Sequence, residues 1–575
     1  MASQYSMPSE AKKLFLDGIL GNPLIQKNLP KGASEAARQI TFEGSDSPSL
    51  PINWRFAESI SAIKAYEAIV LNLLLQKKYG LDPVSIKINT DHAQLFIFSP
   101  LLWTLDPEGA PLTPFRPENR EQIAKYFPDW DKHDATGTPY RTAATNIYKT
   151  KDDRYFHLHG SLNPTPSLEF LNLPLDLPVT TLEEAIPPIE AAVATHTAAE
   201  LQSLNDTHGQ AGTICLTPEE YKASAHGKAN AHVGLFEIDR HPSSSTASSE
   251  PAWWPSTPRT STARPLGGLK VVSLTRIVAG PTIDRGLAEL GASVMRITAP
   301  HLADFSVLHP DLNQGKWNAS LDLRREEDRE KLRALVREAD VFVQGYRPGV
   351  LDKYGFGEKD VLEMARGEGR GGIIYVAENC YGWHGEWMGR SGWQQISDAC
   401  CGVSYEFGRA MGFDEPVTPV FPNSDFCTGV IGVVGVLTAL LRRSEEGGSY
   451  TVKMALNYYN QWLVNTVGMY PPEVWDELKR AKDGTPLSLR HYHHMFYALP
   501  IVLKMIQEKS AGKLLKPEFF TQYRVKNLGG ISMRHVAPVL EFPNGEVKPG
   551  FDVGTRTNGV DQARWPEDLD VEVVV

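Results

Sequence analysis

The sequence is poor in cysteine, in positive charge and in long apolar runs. Only five of its 575 residues are cysteine, and Cys215, Cys380, Cys400, Cys401 and Cys427 form no CxxC pair. This excludes a disulfide scaffold and leaves zinc ribbons and thioredoxin-like motifs without support. The formal net charge of -11 argues against a broad nucleic-acid or anionic-membrane surface. No nucleic-acid or membrane partner is therefore expected.

Targeting and membrane signals are also scarce. Residues 1–6 contain no basic stretch leading into an apolar one, as a signal peptide requires. The longest apolar run, 426–441, has 16 residues, whereas a membrane span needs about 18 or more. This run is predicted to be a buried helix. We expect a soluble protein in a reducing compartment, with the cytoplasm favoured and mitochondrial and peroxisomal locations left open.

The length predicts three or four domain-sized units. The chain is 42% hydrophobic and 22% charged, as globular proteins are. Residues 1–49 are expected to be an N-terminal tail, with a peripheral helix as the alternative for the first 40 residues. Residues 241–265, rich in Ser, Thr and Pro, are predicted to be an interdomain linker. Trp253 and Trp254 inside it indicate that part of the linker docks onto a surface.

The periodicity of apolar residues changes across this linker. Helices are predicted at 56–80, 282–290 and 326–338, and strands at 84–88, 154–160, 269–274, 293–297, 339–343 and 371–376. The alternation of strands and helices after the linker predicts a parallel, Rossmann-like sheet. The glycine-rich run 367–372 precedes a strand, whereas a dinucleotide fingerprint follows one, so a cofactor role for this run is disfavoured.

Asp425 opens the apolar helix and is the only acidic residue between Glu415 and Glu445. Aspartate is a preferred helix N-cap, and a carboxylate is favoured at the positive end of a helix. A carboxylate held there is also expected to stay ionised and oriented, as a nucleophile must. Residue chemistry alone leaves the cap and the catalytic interpretation open.

Short motifs follow one another in a fixed order over residues 266–460. They include Leu266-Gly267-Gly268, Ala279-Gly280-Pro281, Leu287-Ala288-Glu289-Leu290-Gly291, Asn313-Gln314-Gly315-Lys316, Ala339-Asp340-Val341, Arg347-Pro348-Gly349, Tyr354-Gly355-Phe356-Gly357, Asp425 with Thr428-Gly429, and Gly447-Gly448-Ser449-Tyr450. Together they resemble the family III CoA-transferases, also called the CaiB/BaiF family. The resemblance implies an α/β fold with a Rossmann-like parallel-sheet domain and a smaller α+β domain, within residues 266–575.

The resemblance also implies a reaction. In the family, the aspartate that matches Asp425 attacks an acyl-CoA thioester and forms an acyl-aspartyl anhydride. The released CoA thiolate returns to give an aspartyl-CoA thioester, and CoA then passes to an acceptor acid. The expected substrates are an acyl-CoA and a small carboxylic acid, with no tightly bound cofactor.

The family pattern assigns the CoA contacts. They are Arg276, Ile277, Val278, Ala279, Gly280 and Lys353. Lys353 stands where the family often has arginine, so a cation is kept. Thr298 and Gly345 depart from the usual Glu and Asn. No metal site is expected, because the pair His157 and His159 lacks a visible third ligand.

Two alternatives to transfer stay open. A related branch of the family racemises 2-methylacyl-CoA thioesters and pairs the aspartate with a histidine. Trp393 occupies that histidine position here, although His384 is near in sequence. The other alternative is a CoA-binding pseudoenzyme. Trp383, Trp387 and Trp393 are equally compatible with a pocket wall and with a core.

An internal repeat is the last prediction from the sequence. A shift of 367 residues places Glu58 on Asp425, and a shift of 366 places Lys87 on Lys453. Residues 50–240 would then be a degenerate, truncated family III-like region; chance similarity of two helices is the alternative. Because family members form interlocked dimers, the chain is expected to be either a homodimer or an intrachain pseudo-dimer.

Overall fold

The computed structural model describes residues 5–114, 116–242, 250–366, 372–569 and 571–574. Within them, the strands are β1 (Ile40–Glu43), β2 (Ile86–Asn89), β3 (Thr104–Leu105), β4 (Thr145–Lys149), β5 (Tyr155–His159), β6 (Thr213–Ile214), β7 (Phe236–His241), β8 (Lys270–Leu274), β9 (Ser293–Thr298), β10 (Lys316–Ser320), β11 (Val341–Gln344), β12 (Ile374–Asn379), β13 (Ser449–Ala455), β14 (Phe520–Val525), β15 (Ile531–Val536) and β16 (Leu540–Glu541).

The helices are mostly short. The α-helices span Met7–Lys13, Pro23–Gln26, Ala33–Ala36, Phe56–Tyr79, Thr90–Phe96, Arg120–Ala124, Pro139–Ala143, Thr165–Phe170, Leu182–Val193, Ala198–Thr207, Pro218–Ala223, Ala225–Asn230, Ala279–Glu289, His309–Leu312, Glu326–Arg337, Glu358–Arg366, Gln394–Cys401, Val403–Ala410, Asn423–Glu446, Leu456–Trp462, Pro472–Leu478, Met495–Lys509 and Ala511–Leu514. Leu14–Leu20 and Leu463–Val467 are π-helical, and single 3-10 turns occupy Ala37–Gln39, Ser99–Leu101, Pro117–Asn119, Ser306–Leu308, Asp352–Tyr354, Pro517–Phe519 and Lys526–Leu528.

A seven-stranded sheet in the order β10-β9-β8-β11-β12-β13-β7 forms the centre of the fold. Its first six strands are parallel, with Val271 paired to Val294 on one side and to Val341 on the other. Counted along the chain from β8, the parallel strands follow the order 3-2-1-4-5-6 of a Rossmann sheet. The predicted fold class is confirmed.

The N-terminal half, which precedes the predicted linker, and the C-terminal half, which follows it, contribute strands to each other's sheets. β7, which precedes the predicted linker, pairs antiparallel with β13 at the edge of the large sheet. In the opposite direction, the C-terminal strands β15 and β16 pair with β3 and β2 of the N-terminal half. Each half therefore completes a sheet of the other.

The helix Asn423–Glu446 is buried along its length, as predicted. Among the described residues it alone is long and apolar enough to cross a membrane by length and composition, and its apolar window is wholly enclosed by the protein. Glycines on one face admit the helix Ala279–Glu289: a Cβ at Gly432 would lie 2.6 Å from Ile283 Cδ1. This close packing fixes the loop after β8 relative to Asp425.

The helix Phe56–Tyr79 packs against the same buried helix and shares its hydrophobic core. Phe96 and Phe426 meet edge to face at 5.3 Å. The hydroxyl of Tyr459 contacts both Ser59 Oγ, at 2.9 Å, and Asn423 Nδ2, at 2.5 Å. Residues of both halves therefore converge on one buried hydroxyl.

Several elements differ from the sequence expectations. Residues 7–20 are helical and bury Met7, Phe15 and Ile19, so this stretch of the predicted tail packs into the core. The helix expected from 282 starts at Ala279, because a proline in the first turn needs no hydrogen-bond donor. The predicted strands at 269–274 and 293–297 are confirmed as β8 and β9, whereas β7, β10 and β13 were not predicted.

The predicted linker docks through its tryptophans. Trp254 is 2% exposed and donates to the Gly267 carbonyl at 2.9 Å. The Lys78 ammonium lies 4.0 Å from the Trp254 ring centroid. Residues 243–249 of this segment lie outside the described residues, as do 367–371 of the glycine-rich run. The division into domains stays a prediction.

Candidate functional site

A cavity of about 720 Å³ opens at the carboxyl ends of the parallel strands. Leu274 at the end of β8, Gly345 after β11 and Glu378 near the end of β12 line it, together with Asp425. β8 and β11 are the strands between which the chain order reverses, and open α/β sheets bind ligands at this crevice. The fold itself therefore marks this cavity as the candidate active site.

Most of the predicted site residues meet in this cavity. Those that line it are Asp425, Arg276, Ile277, Val278, Ala279 and Lys353. Gly280 is buried one residue beyond the lining, and a Cβ there would lie 2.7 Å from Thr275 Cγ2. The two departures from the family pattern, Thr298 and Gly345, also face the cavity.

The loop after β8 is held in a strained conformation. Ile277 has φ 71°, a left-handed backbone that β-branched residues avoid. Its neighbour Arg276 donates to the Ala303 carbonyl at 2.6 Å and lies 5.5 Å from the Tyr346 ring centroid. The guanidinium is thereby fixed beside the cavity before any ligand arrives.

Two further cations among the described residues border the cavity without an ion pair, whereas Arg324 and Arg390 in its lining pair with Asp322 and Asp206. Lys353 is exposed and lies 5.2 Å from the ring of Tyr354, and Arg347 is exposed beside Gly209. Within the described part of the chain, neither has an acidic partner in an ion pair. Arg347 was not predicted as a contact residue, although it belongs to one of the family motifs. Three cations thus offer a local anion site on a protein of negative net charge.

Asp425 is the third residue of its helix and not its N-cap, so the capping interpretation is wrong. Its side chain faces the cavity, and among the described residues no hydrogen bond or ion pair holds it. Burial, followed by the charges of Glu378 and Asp398, raises its pKa well above the ordinary value. Burial and the neighbouring charges therefore outweigh the lowering of the Asp425 pKa that is expected at a helix N-terminus.

Glu378 is a cavity residue that sequence reasoning missed. Burial raises the pKa of its carboxyl to about 8, and no hydrogen bond within the described residues satisfies it. A Cβ at Gly345 would lie 3.4 Å from Glu378 Oε2. One signal was available: Glu378 is a lone acid at the carboxyl end of an apolar strand.

Asp398 completes a group of three carboxyls. Burial raises its pKa to about 7, while hydrogen bonds from Asn460, Gln394 and Ser424 favour the ionised form. Asn460 Nδ2 lies 2.9 Å from Asp398 Oδ1. Because Asp398 is held by these donors, Glu378 and Asp425 remain the two carboxyls without hydrogen-bond partners among the described residues.

The N-terminal half supplies part of the cavity wall. His159 on β5 stacks on Trp393 with ring centroids 6.1 Å apart, and Trp393 Nε1 donates to Ser161 Oγ at 3.0 Å. Burial lowers the pKa of His159 to about 3 and that of His494 to about 4, so both line the cavity as neutral rings. Trp383 and Trp387 do not border the cavity.

Two histidine expectations have clear outcomes. His157 and His159 lie on one strand face with ring centroids 6.0 Å apart, as their spacing predicts. His384 does not reach the cavity and instead hydrogen-bonds Glu237 at 2.8 Å. The residue considered as a second proton carrier is therefore engaged elsewhere.

Comparison with known proteins agrees with this geometry. Residues 266–498 match the family model described as CoA-transferase family III. The acetyl-coenzyme A transferase nodX of Hypoxylon pulicicidum is 49% identical over 573 residues, covering 99% of this chain and 95% of that protein. An acyl-CoA transferase of Gibberella moniliformis is 32% identical over 523 residues, and the match covers 89% of this chain and 88% of that protein.

Among solved structures, a CaiB/BaiF family protein from Brucella suis is similar in sequence over a shorter stretch. It is 28% identical, with a TM-score of 0.30, and the match covers 35% of this chain and 56% of that one. The family model and the two relatives that span nearly the whole chain carry the assignment. The chain belongs to the family III CoA-transferases and is a CoA-transferase.

Proposed function

We propose that the protein transfers CoA from an acyl-CoA to a carboxylic acid through a covalent intermediate on Asp425. One observation carries the proposal: the free carboxyl of Asp425 faces the same cavity as the strained loop of Arg276 and the cation Lys353. The cations suit the phosphates of CoA, and the carboxyl suits the thioester. A carboxylate nucleophile divides one acyl exchange into easier steps.

The first half of the reaction makes an aspartyl thioester. A carboxylate oxygen of Asp425 forms a bond to the thioester carbonyl carbon, and the carbon–sulfur bond breaks to release CoA thiolate and leave a mixed anhydride. The thiolate then attacks the aspartyl carbonyl, and the donor acid leaves as its carboxylate. The second half reverses these steps with the acceptor carboxylate, which regenerates the Asp425 carboxylate.

Glu378 is proposed to hold the proton that keeps this site active. A neutral Glu378 places no negative charge near Asp425 and therefore no longer opposes ionisation of the Asp425 carboxyl. The neutral carboxyl can also donate a hydrogen bond to the oxyanion that forms on the attacked carbonyl. One group thereby favours both the nucleophile and the tetrahedral intermediate.

The chain is proposed to be an intrachain pseudo-dimer with one active site. His159 and Ser161 of the N-terminal half border the cavity of the other half, and the strand exchange described above joins both halves. Glu58, which the repeat places on Asp425, accepts hydrogen bonds from the hydroxyls of Tyr5 and Tyr470 and does not line this cavity. One CoA bound per chain by calorimetry is expected for this arrangement and also for a homodimer, whereas two per chain would contradict it.

The test of the reaction separates catalysis from binding. Asp425→Asn is expected to abolish turnover while CoA still binds, because the amide keeps the shape but is not a nucleophile. Substantial residual transfer in that variant would refute the assigned role. Deuterium exchange at the α-carbon without transfer would instead favour the racemase alternative, and CoA binding with neither activity would favour the pseudoenzyme.

A further inference from the structure

Three potential metal ligands from two segments that are distant in sequence meet outside the active-site cavity. His232 follows the helix Ala225–Asn230, Glu237 lies on β7, and His384 lies in the segment after β12. One ligand atom of each lies within 4.8 Å of the other two. None of the three lines the cavity.

The contacts among them place a carboxylate oxygen against the His384 ring and the His232 ring beside that of His384. His384 Nε2 lies 2.8 Å from Glu237 Oε2, and the rings of His232 and His384 are 4.8 Å apart. The hydroxyl of Tyr458 donates to the other oxygen, Glu237 Oε1, at 2.7 Å. Tyr458 therefore orients the carboxylate and leaves Oε2 for the ligand position, which is how outer partners tune metal sites.

The backbone around His384 is fixed from both sides. Asn230 Nδ2 donates to the His384 carbonyl at 2.8 Å, and the His384 N–H donates back to Asn230 Oδ1 at 3.3 Å. The preceding Trp383 N–H donates to Tyr458 Oη at 2.9 Å. Three hydrogen bonds thus hold the backbone of Trp383 and His384, and two of them involve Asn230 in the segment that leads to His232.

We propose that His232, Glu237 and His384 bind one zinc-class divalent cation. Two imidazoles and one carboxylate form a donor set that zinc, cobalt and nickel accept, whereas magnesium and calcium require oxygen ligands. The ligand atoms of a tetrahedral site with bonds of about 2.0–2.2 Å lie about 3.4 Å apart. This spacing falls between the 2.8 Å from His384 Nε2 to Glu237 Oε2 and the 4.8 Å within which all three ligand atoms lie. Because His232 is exposed, solvent can supply the remaining ligand.

The position of the site indicates what the cation would do. It would join β7, contributed by the N-terminal half, to the segment that runs from β12 to Trp393 in the cavity wall. A cation there would therefore fasten one wall of the active site to the opposite half of the chain. The proposal is independent of the transfer reaction, and no chemical step passes through the metal.

Calorimetric titration of the chelator-treated full chain with zinc chloride tests the proposal. One site per chain is expected, and His384→Ala should weaken its affinity by at least about 100-fold, more than the 10–100-fold that loss of an outer partner costs. His232→Ala should do the same, and it is the variant less able to disturb folding because the His232 side chain is exposed. His208→Ala, at an exposed helix end, is the matched control and should bind zinc like the parent.

Cobalt(II) absorption gives a second readout that does not depend on activity. The parent should develop the visible bands of a four-coordinate cobalt site, and both ligand variants should lose them. Tyr458→Phe should retain the bands and weaken affinity by about 10–100-fold. The proposal is overturned if the parent shows no zinc site, or if zinc affinity and the cobalt spectrum survive unchanged in both His232→Ala and His384→Ala.

Discussion

Glu58 and Asp425 are each the third residue of a 24-residue buried helix, and the two helices pack against each other. Their surroundings differ. Glu58 accepts hydrogen bonds from the hydroxyls of Tyr5, at 2.5 Å, and Tyr470, at 2.9 Å. Asp425 faces the cavity with no such partner among the described residues. The acidic side chain at the third helical position is therefore hydrogen-bonded by hydroxyls in one helix and faces the cavity in the other.

This contrast predicts opposite effects of two amide substitutions. Glu58→Gln should lower the free energy of unfolding by about 1–3 kcal/mol, because it disturbs a buried hydrogen-bonded group, and should leave transfer within about twofold of the parent. Asp425→Asn should cost on the order of 10³-fold or more in kcat, as loss of a nucleophile does. Thermal unfolding and steady-state kinetics measure the two. A large loss of kcat in Glu58→Gln with normal CoA binding would contradict the one-site account.

The pH profile of kcat/KM should be bell-shaped. The acid limb should lie well above the ordinary range of an aspartate, because the raised pKa of Asp425 keeps the nucleophile protonated at low pH. The alkaline limb should fall near pH 8, where Glu378 ionises beside Asp425 and loses the donor hydrogen. The two apparent values belong to the coupled pair of carboxyls. A profile that stays flat to pH 10 would exclude Glu378 from the reaction.

Substitutions of Glu378 separate its charge from its hydrogen bond. Glu378→Gln keeps a neutral donor and should remove the alkaline limb while retaining most activity. Glu378→Leu removes the donor and should lose about 10²–10³-fold in kcat, the range for one oxyanion donor. Glu541→Gln, which removes an acid on β16 outside the cavity lining, is the control and should leave the profile unchanged.

The cations at the cavity should act on the phosphates of CoA. Arg276→Ala should raise KM for acyl-CoA about 10-fold with little change in kcat, the lower end of the range for a hydrogen bond to a charged group. Lys353→Ala should have a smaller effect that fades at high salt, because its ammonium is exposed. An acyl-pantetheine substrate, which lacks the phosphates, provides the check. An equal rise in KM with both substrates would show that Arg276 and Lys353 do not act on the phosphates.

The N-terminal half should influence the acyl end of the reaction. His159→Ala removes the ring that stacks on Trp393, so kcat/KM for the acceptor acid should fall about 10-fold while CoA affinity stays unchanged. His196→Ala, elsewhere in the same half, is the matched control. Unchanged kinetics in His159→Ala across several acceptor acids would remove the N-terminal half from the substrate site.

Much of the fold was predictable because its signals are local. β8, β9 and β11 are short apolar runs next to turn residues, and Asp425 is the single acid before a long apolar helix. The edge strand β7 was missed because its burial pattern follows from pairing with β13, more than 200 residues away in the chain. Partners that far apart leave no periodic signal in either segment.

The site was predictable only in part for the same reason. Asp425 and the loop after β8 stand in recognisable motifs. His159 reaches the cavity through tertiary packing, and Glu378 carries only the signal of a lone acid at the end of an apolar strand. The ionisation expected for Asp425 at a helix end was outweighed by burial and by the neighbouring carboxyls, which no spacing reveals. Motifs locate a nucleophile, and its protonation depends on groups that folding brings near it.

Trapping the covalent intermediate tests the central claim most directly. Full-length protein is incubated with acyl-CoA without acceptor acid, quenched with acid, and analysed by intact-mass and peptide mass spectrometry. The account predicts a CoA thioester on the peptide that contains Asp425, absent in Asp425→Asn and lost from the parent when acceptor acid is added. Transfer without any adduct on that peptide, or an adduct that persists in Asp425→Asn, would contradict it.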